Sequence, residues 1–161
     1  MKKIDYKKLI ICLLIPQLAG LLGSVANMTS LDSWFLSLVK PSFNPPNWIF
    51  GPVWTILFIM MGISLYLVWQ KRGLFNQKQW LFSLKIFSIQ LGLNILWSYL
   101  FFFFRSPLAG LAEIILLWVF ILFNIIHFYK LNKTAGLLLV PYLLWVSFAS
   151  VLNFNLWILN S

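Results

Sequence analysis

The sequence is poor in the residues that most enzymes and metal proteins depend on. It holds three acidic residues, one cysteine and one histidine among 161. The lone Cys12 excludes an intramolecular disulfide and lies in an apolar run, and His127 has no second histidine or cysteine near it, which argues against a metal site. No carboxylate dyad, nucleophile and base pair or phosphate-binding loop is visible. Charge is scarce too, with only 9% charged residues against about 25% in soluble domains. The formal net charge of +9 does not point to nucleic acid, because the basic residues are scattered between long apolar runs and form no basic stripe.

What the chain has instead is apolar mass, with 61% hydrophobic residues and a mean hydropathy of +0.90. A bilayer core of about 30 Å takes about 20 apolar residues as helix. Five such runs are expected, over residues 9–25, 48–69, 80–104, 107–128 and 135–159, with one long polar, proline-bearing connection at 26–47. The fold class is therefore an all-α membrane protein, a single domain over 1–161 built as a bundle of five transmembrane helices. Lys2, Lys3, Lys7 and Lys8 precede the first run, Lys71, Arg72, Lys78 and Lys85 lie at the second connection, and Lys130 and Lys133 follow the fourth run. The other side carries only Lys40 and Arg105, so the N-terminus is expected inside and the C-terminus outside. The basic start and the small residues Ser24, Val25 and Ala26 also resemble a cleavable signal peptide. An intact first helix is the expectation, because the apolar run is long and Gly20 and Gly23 look like packing residues. Trp48, Trp69, Trp80 and Trp157 fall near span ends, where indoles favour the headgroup layer.

Polar side chains inside spans are costly and should face protein or a cavity. On span three Gln90, Asn94, Trp97 and Phe101 share one helix face; span five offers Pro141, Trp145, Ala149 and Asn153; span two offers Trp54, Phe58, Met61, Gly62 and Leu65. Counting about 1.5 Å per residue from the outer ends places these indoles and Asn94 at compatible depths for one outward cavity. The loop KPSFNPP at 40–46 would lie across its mouth as a stiff lid, since each proline limits the backbone. The competing reading is that the amides glue helices together and the indoles fill space. Glu113 could pair with Arg105, bond a neighbouring helix or be protonated. His127 reads as an interfacial residue beside Lys130.

Three blocks carry a resemblance: KPSFNPPNWIFGPVWTILFIMMGISLYLVW from Lys40, QLGLNILWSYLFF from Gln90, and AGLLLVPYLLWVSFASVLN from Ala135. In these the chain resembles the tryptophan-rich sensory protein family, TspO, also called translocator protein or peripheral-type benzodiazepine receptor. The resemblance implies a multi-pass protein of the bacterial cell membrane, a possible homodimer, whose pocket under the first loop binds protoporphyrin IX, haem-like tetrapyrroles or benzodiazepine-type ligands. Matching pocket positions are Pro45, Trp54, Phe58, Asn94, Trp97, Trp145 and Ala149, with Trp34 and Phe35 near the lid, where Phe35 replaces a tyrosine of relatives. Gln90 joins this set from its helix face. No metal or other cofactor is required for binding. In some bacterial relatives two indoles matching Trp54 and Trp145 are implicated in light- and oxygen-dependent breakdown of protoporphyrin, so an enzymatic role stands as the alternative to a receptor or translocator, beside a purely helix-packing role. The animal sterol pattern is not matched in VLNFNLWILNS, where Phe154 stands near the tyrosine position and no basic residue follows Lys133, so sterol binding is doubtful. Ala19 with Gly23 and Gly20 with Ser24 are small-xxx-small pairs that offer a dimer surface.

Overall fold

A computed structural model describes residues 4–161 of the chain. The helices are α1 (Tyr6–Met28), α2 (Trp34–Ser37), α3 (Asn47–Gln70), α4 (Gln77–Ser98), α5 (Pro107–Leu131), α6 (Lys133–Leu138) and α7 (Val140–Leu159). No strand occurs among the described residues. Five stretches are long and apolar enough to cross a membrane: Tyr6–Met28, Asn47–Gln70, Gln77–Phe103, Pro107–Leu131 and Lys133–Leu159. The expected five-span all-α bundle is therefore present, with most helices running a few residues past the expected bounds. Apolar counting stops at the first lysine or glutamine, whereas the backbone helix continues to a cap. Asp5 Oδ1 accepts from the Lys8 amide, Asn76 and Gln79 form a reciprocal capping box, Ser106 accepts from the Ala109 amide with Pro107 in the first turn, and Asn132 accepts from Thr134 and Ala135. Each supplies an acceptor to amides that the first turn leaves unpaired.

The helices close into a ring. α1 packs between α3 and α4, α4 packs on α5, α5 on α6 and α7, and α6 returns to α3. Gly62 permits the α1–α3 approach, since a Cβ there would lie 2.7 Å from the Cys12 carbonyl oxygen and 2.8 Å from Leu13 Cα. Ser64 Oγ donates to the Ala135 carbonyl at 2.7 Å, a buried bond joining α3 to α6.

Two spans are not the continuous α-helices their hydropathy suggests. The third changes to a π-helical turn over Tyr99–Phe103, closed by the Phe104 amide donating to Tyr99 at 2.9 Å and by Arg105 in the left-handed region at φ 51°. The fifth breaks at Leu139, between α6 and α7. Pro141 has no N–H for the carbonyl four residues back, so an unbroken α-helix through this point would lose a bond. Trp80 lies in the first turn of α4, near the span end as expected, but is buried, its ring 6.0 Å from that of Trp69 with the Arg72 guanidinium over it. An indole at a span end can bury its face against a neighbour as readily as it meets headgroups.

The long connection is ordered by packing. α1 extends to Met28, so the segment between α1 and α3 is residues 29–46. Ser30 Oγ donates to the Phe102 carbonyl at 2.7 Å, and Phe35 is buried with its ring 5.5 Å from Phe102 and 6.2 Å from Phe101. Asn160 clamps the same segment from the far end of the chain: its Oδ1 accepts from the Val39 amide at 2.9 Å and its Nδ2 donates to the Val39 carbonyl at 3.0 Å.

Candidate ligand cavity

The C-terminal halves of α1, α4 and α7 and the N-terminal half of α3 meet at one end of the ring, on the side of the 29–46 segment. They enclose a cavity of about 530 Å³, within the range of about 300–1,000 Å³ that small-molecule sites span. Its walls carry no ionisable side chain among the described residues. Polarity comes only from amides, hydroxyls and indoles.

Seven of the ten candidate ligand positions reach this space, Phe35, Trp54, Phe58, Asn94, Trp97, Trp145 and Ala149, together with Phe101 and Asn153 from the same helix faces. The Trp54 ring stacks on Phe58 at 5.5 Å and 29° and meets Tyr142 edge-on at 6.0 Å. Tyr142 is buried, and its hydroxyl accepts from Asn94 Nδ2 at 3.0 Å, which fixes how the Asn94 carboxamide faces. Trp97 stacks on Phe101 at 5.2 Å and 19° and donates its indole N–H to Asn153 Oδ1 at 3.1 Å. Asn153 Nδ2 in turn donates to the Pro107 carbonyl at 2.7 Å, so one chain of bonds ties α4, α7 and the start of α5. Trp145 lies between Phe50 at 5.9 Å and Phe148 at 5.5 Å. Its Nε1 is buried without a hydrogen-bond partner, a situation that costs about 1–3 kcal/mol in a folded protein.

Gln90, Trp34 and Pro45 do not line the cavity. Gln90 shares the Asn94 face but sits one turn deeper, buried against Met61, with Nε2 3.8 Å from the Met61 sulfur and Oε1 unpartnered. Trp34 packs edge-on to Phe101 at 5.6 Å. Pro45 takes a bond at its carbonyl from Asn44 Nδ2, just before α3 begins. Of the options for Glu113, neither pairing with Arg105 nor a bond to a neighbouring helix is seen: the one ion pair among the described residues is Lys8 with Asp5, and both Glu113 oxygens are buried without a partner.

The sequence reading missed the α1 wall. Gln17, Gly20, Ser24 and Asn27 all face the cavity, at spacings of three, four and three residues that mark one helix face. Gln17 Nε2 donates to the Thr55 carbonyl at 3.3 Å, and Asn27 Oδ1 is buried and unpartnered. The signal was a polar and small stripe in an otherwise apolar helix, obscured because Gly20 was assigned to helix packing. Gly20 does pack: a Cβ there would overlap the Phe58 ring.

Comparison with known proteins agrees with this architecture. Residues 12–158 match the TspO/MBR family. The chain is 47% identical over 156 residues to the tryptophan-rich protein TspO of Chlorobaculum tepidum, covering 94% of this chain and 95% of the relative. It is 44% identical over 154 residues to the tryptophan-rich protein TspO of Archaeoglobus fulgidus, covering 96% and 97%. The translocator protein of Bos taurus is 34% identical over 144 residues, covering 89% and 85%. With its five spans, the chain is an integral multi-pass membrane protein, and it belongs to the TspO/MBR family.

Proposed function

We propose that the cavity binds a flat, largely apolar tetrapyrrole of the protoporphyrin IX or haem type, as a membrane receptor or translocator. Benzodiazepine-type aromatics would compete for the same space. The observation that carries this reading is the aromatic, uncharged wall that Trp54, Phe58, Trp97 and Trp145 present to the cavity. Trp145, held between Phe50 and Phe148, offers a planar ligand a ring to stack on. The absence of charge on the lining favours placing the ring inside and its carboxylates at the mouth, since a buried unpaired carboxylate is costly. Membership of a family that includes translocator proteins adds a site-independent reason to look for small-molecule binding.

The distribution of basic residues favours an N-terminus inside, which would turn the cavity outward and make the 29–46 segment its lid. A second reading rests on Trp54 and Trp145 lining the same cavity. Both indoles would then meet a bound pigment whose photo-oxidation consumes dioxygen.

Titration of protoporphyrin IX in the dark into the purified protein and its Trp145→Phe variant tests binding. Loss of the larger indole stacking face should weaken affinity by about two- to ten-fold. Unsaturable binding to folded wild type would refute the proposal. Illumination in air then separates the readings: progressive pigment loss that needs Trp54 and Trp145 indicates turnover, and an unchanged bound spectrum indicates a binder.

A further inference from the structure

We propose a second site, on the outer surface between α4 and α5 at the opposite end of the bundle, that holds an anionic glycerophospholipid. A groove of about 560 Å³ runs there, lined by Phe82, Lys85, Ile86 and Ile89 of α4 and by Phe120, Phe123, Ile126, His127 and Lys130 of α5. The Ser83–His127 hydrogen bond at 2.8 Å sets the antiparallel register of the two helices. At about 1.5 Å per residue, Lys130 then lies at the rim, Lys85 about 7 Å deeper, and Ile89 and Phe120 deeper still. The groove is thus cationic at the bundle end and apolar toward the bilayer centre. That is the polarity of a lipid standing in a leaflet, headgroup at the rim and acyl chain inward.

Charge complementarity selects an anionic headgroup. Lys85 and Lys130 are both exposed and neither is in an ion pair among the described residues. The chain has only three acidic residues that could neutralise them. Asp5 is held by Lys8 at 3.0 Å, Asp32 belongs to the connection at the other end, and Glu113 is buried beyond the deep end of the groove, seven residues from Phe120 on α5. His127 stands between the lysines as a fixed element. Ser83 Oγ donates to the Gln79 carbonyl at 2.8 Å, so the ring Nε2–H is the donor to Ser83, and the imidazole meets the Phe82 ring edge-on at 4.9 Å. A headgroup phosphate within reach of both ammonium groups and an acyl chain over Ile86, Ile89 and Phe123 would cover the groove. This end also carries the other basic clusters, which place it at the anionic cytoplasmic leaflet.

Native mass spectrometry of the full-length protein, released from micelles holding equal phosphatidylglycerol and phosphatidylcholine of matched chains, tests the assignment. Phosphatidylglycerol should be retained preferentially. Lys85→Gln with Lys130→Gln should cut that retention by roughly five-fold for each lysine, whereas Lys78→Gln with Lys133→Gln, which removes equal charge from the same end, should not. Excess glycerol 3-phosphate should fail to displace the lipid, because the acyl chain contributes through the apolar half. Equal retention of the two lipids by wild type, equal loss in both double variants, or displacement by the free headgroup would each overturn the site. The wild-type comparison stands whether or not the variants fold.

Discussion

Gly20→Ala should act through Phe58. A Cβ at residue 20 would overlap Phe58 Cε2 and lie 2.8 Å from Cδ2 and 3.1 Å from Cζ. The ring cannot simply yield, because Phe58 is buried and stacked on Trp54. Overpacking of this kind costs about 1–3 kcal/mol, partly offset by about 1 kcal/mol of helix propensity gained by alanine. The net loss of stability should be up to about 2 kcal/mol, or roughly thirty-fold in the folding equilibrium. If the ring moves off Trp54, the lost stack, worth about 0.5–1.5 kcal/mol, should weaken protoporphyrin binding about two- to ten-fold. Phe58→Leu in the same protein removes the ring edge, so the double variant should recover about 1–3 kcal/mol relative to the sum of the single effects. Gly92→Ala is the control, because a Cβ there meets nothing within 4 Å and the residue is exposed. Unfolding in mixed micelles and dark titration give the two readouts. A Gly20→Ala variant that gains the same roughly 1 kcal/mol of helix propensity as Gly92→Ala, or additive effects of residues 20 and 58, would refute the reasoning.

Asn160→Ala should free the 29–46 segment by deleting both bonds to Val39, at about 1 kcal/mol each; amide hydrogen exchange at Val39 should accelerate, and ligand dissociation with it if that segment is the lid. Ser30→Ala leaves the buried Phe102 carbonyl without its 2.7 Å donor and should destabilise the fold by about 1–3 kcal/mol, measured by unfolding. Glu113→Met removes two buried acceptors that have no partner and should leave the protein at least as stable as wild type. Asp5 has its carboxyl held below the ordinary value, first by the Lys8 hydrogen bonds. A lowered folded-state value means that its capping contribution is present above the unfolded carboxylate range and is lost as pH falls through the folded one. Exchange of the Lys8 amide should therefore show extra protection that fades only in strong acid and is reduced in Asp5→Ala.

The parts of this fold that the sequence reveals are those with a one-dimensional cause. Span number follows from hydropathy and length, and the alternation of basic clusters follows from insertion, so both are visible without coordinates. The Trp54, Phe58 and Asn94, Trp97 pairs are legible for the same reason, since a helical period fixes which side chains share a face. What the period cannot give is the rotation of each helix and the depth at which its face meets a neighbour. Gln90 and Asn94 share a face, yet Met61 closes the core around one while the other borders the cavity; that difference lies in α3, not in α4. The break at Leu139 has a local mark in Pro141, although that proline also falls on the stripe with Trp145, Ala149 and Asn153. The π-turn at Tyr99–Phe103 leaves no such mark in the run YLFFF, because Phe35, which Phe101 and Phe102 pack around, lies more than 60 residues away in the chain.

The α1 wall shows how the two readings of a small residue combine. Gly20 was assigned to close helix contact, and the overlap a Cβ would make with Phe58 agrees with that role. Yet the ring it accommodates is itself part of the cavity lining, so the glycine positions Phe58 against Trp54 and shapes the site without offering any group to a ligand. Helix packing and ligand binding are therefore not alternatives at this position. The same holds for Asn153, whose two bonds join Trp97 to the start of α5: it is structural glue that also fixes an indole at the cavity wall. A substitution here should change stability and affinity together, whereas Trp145, whose buried N–H has no partner in the protein, should affect affinity far more than stability.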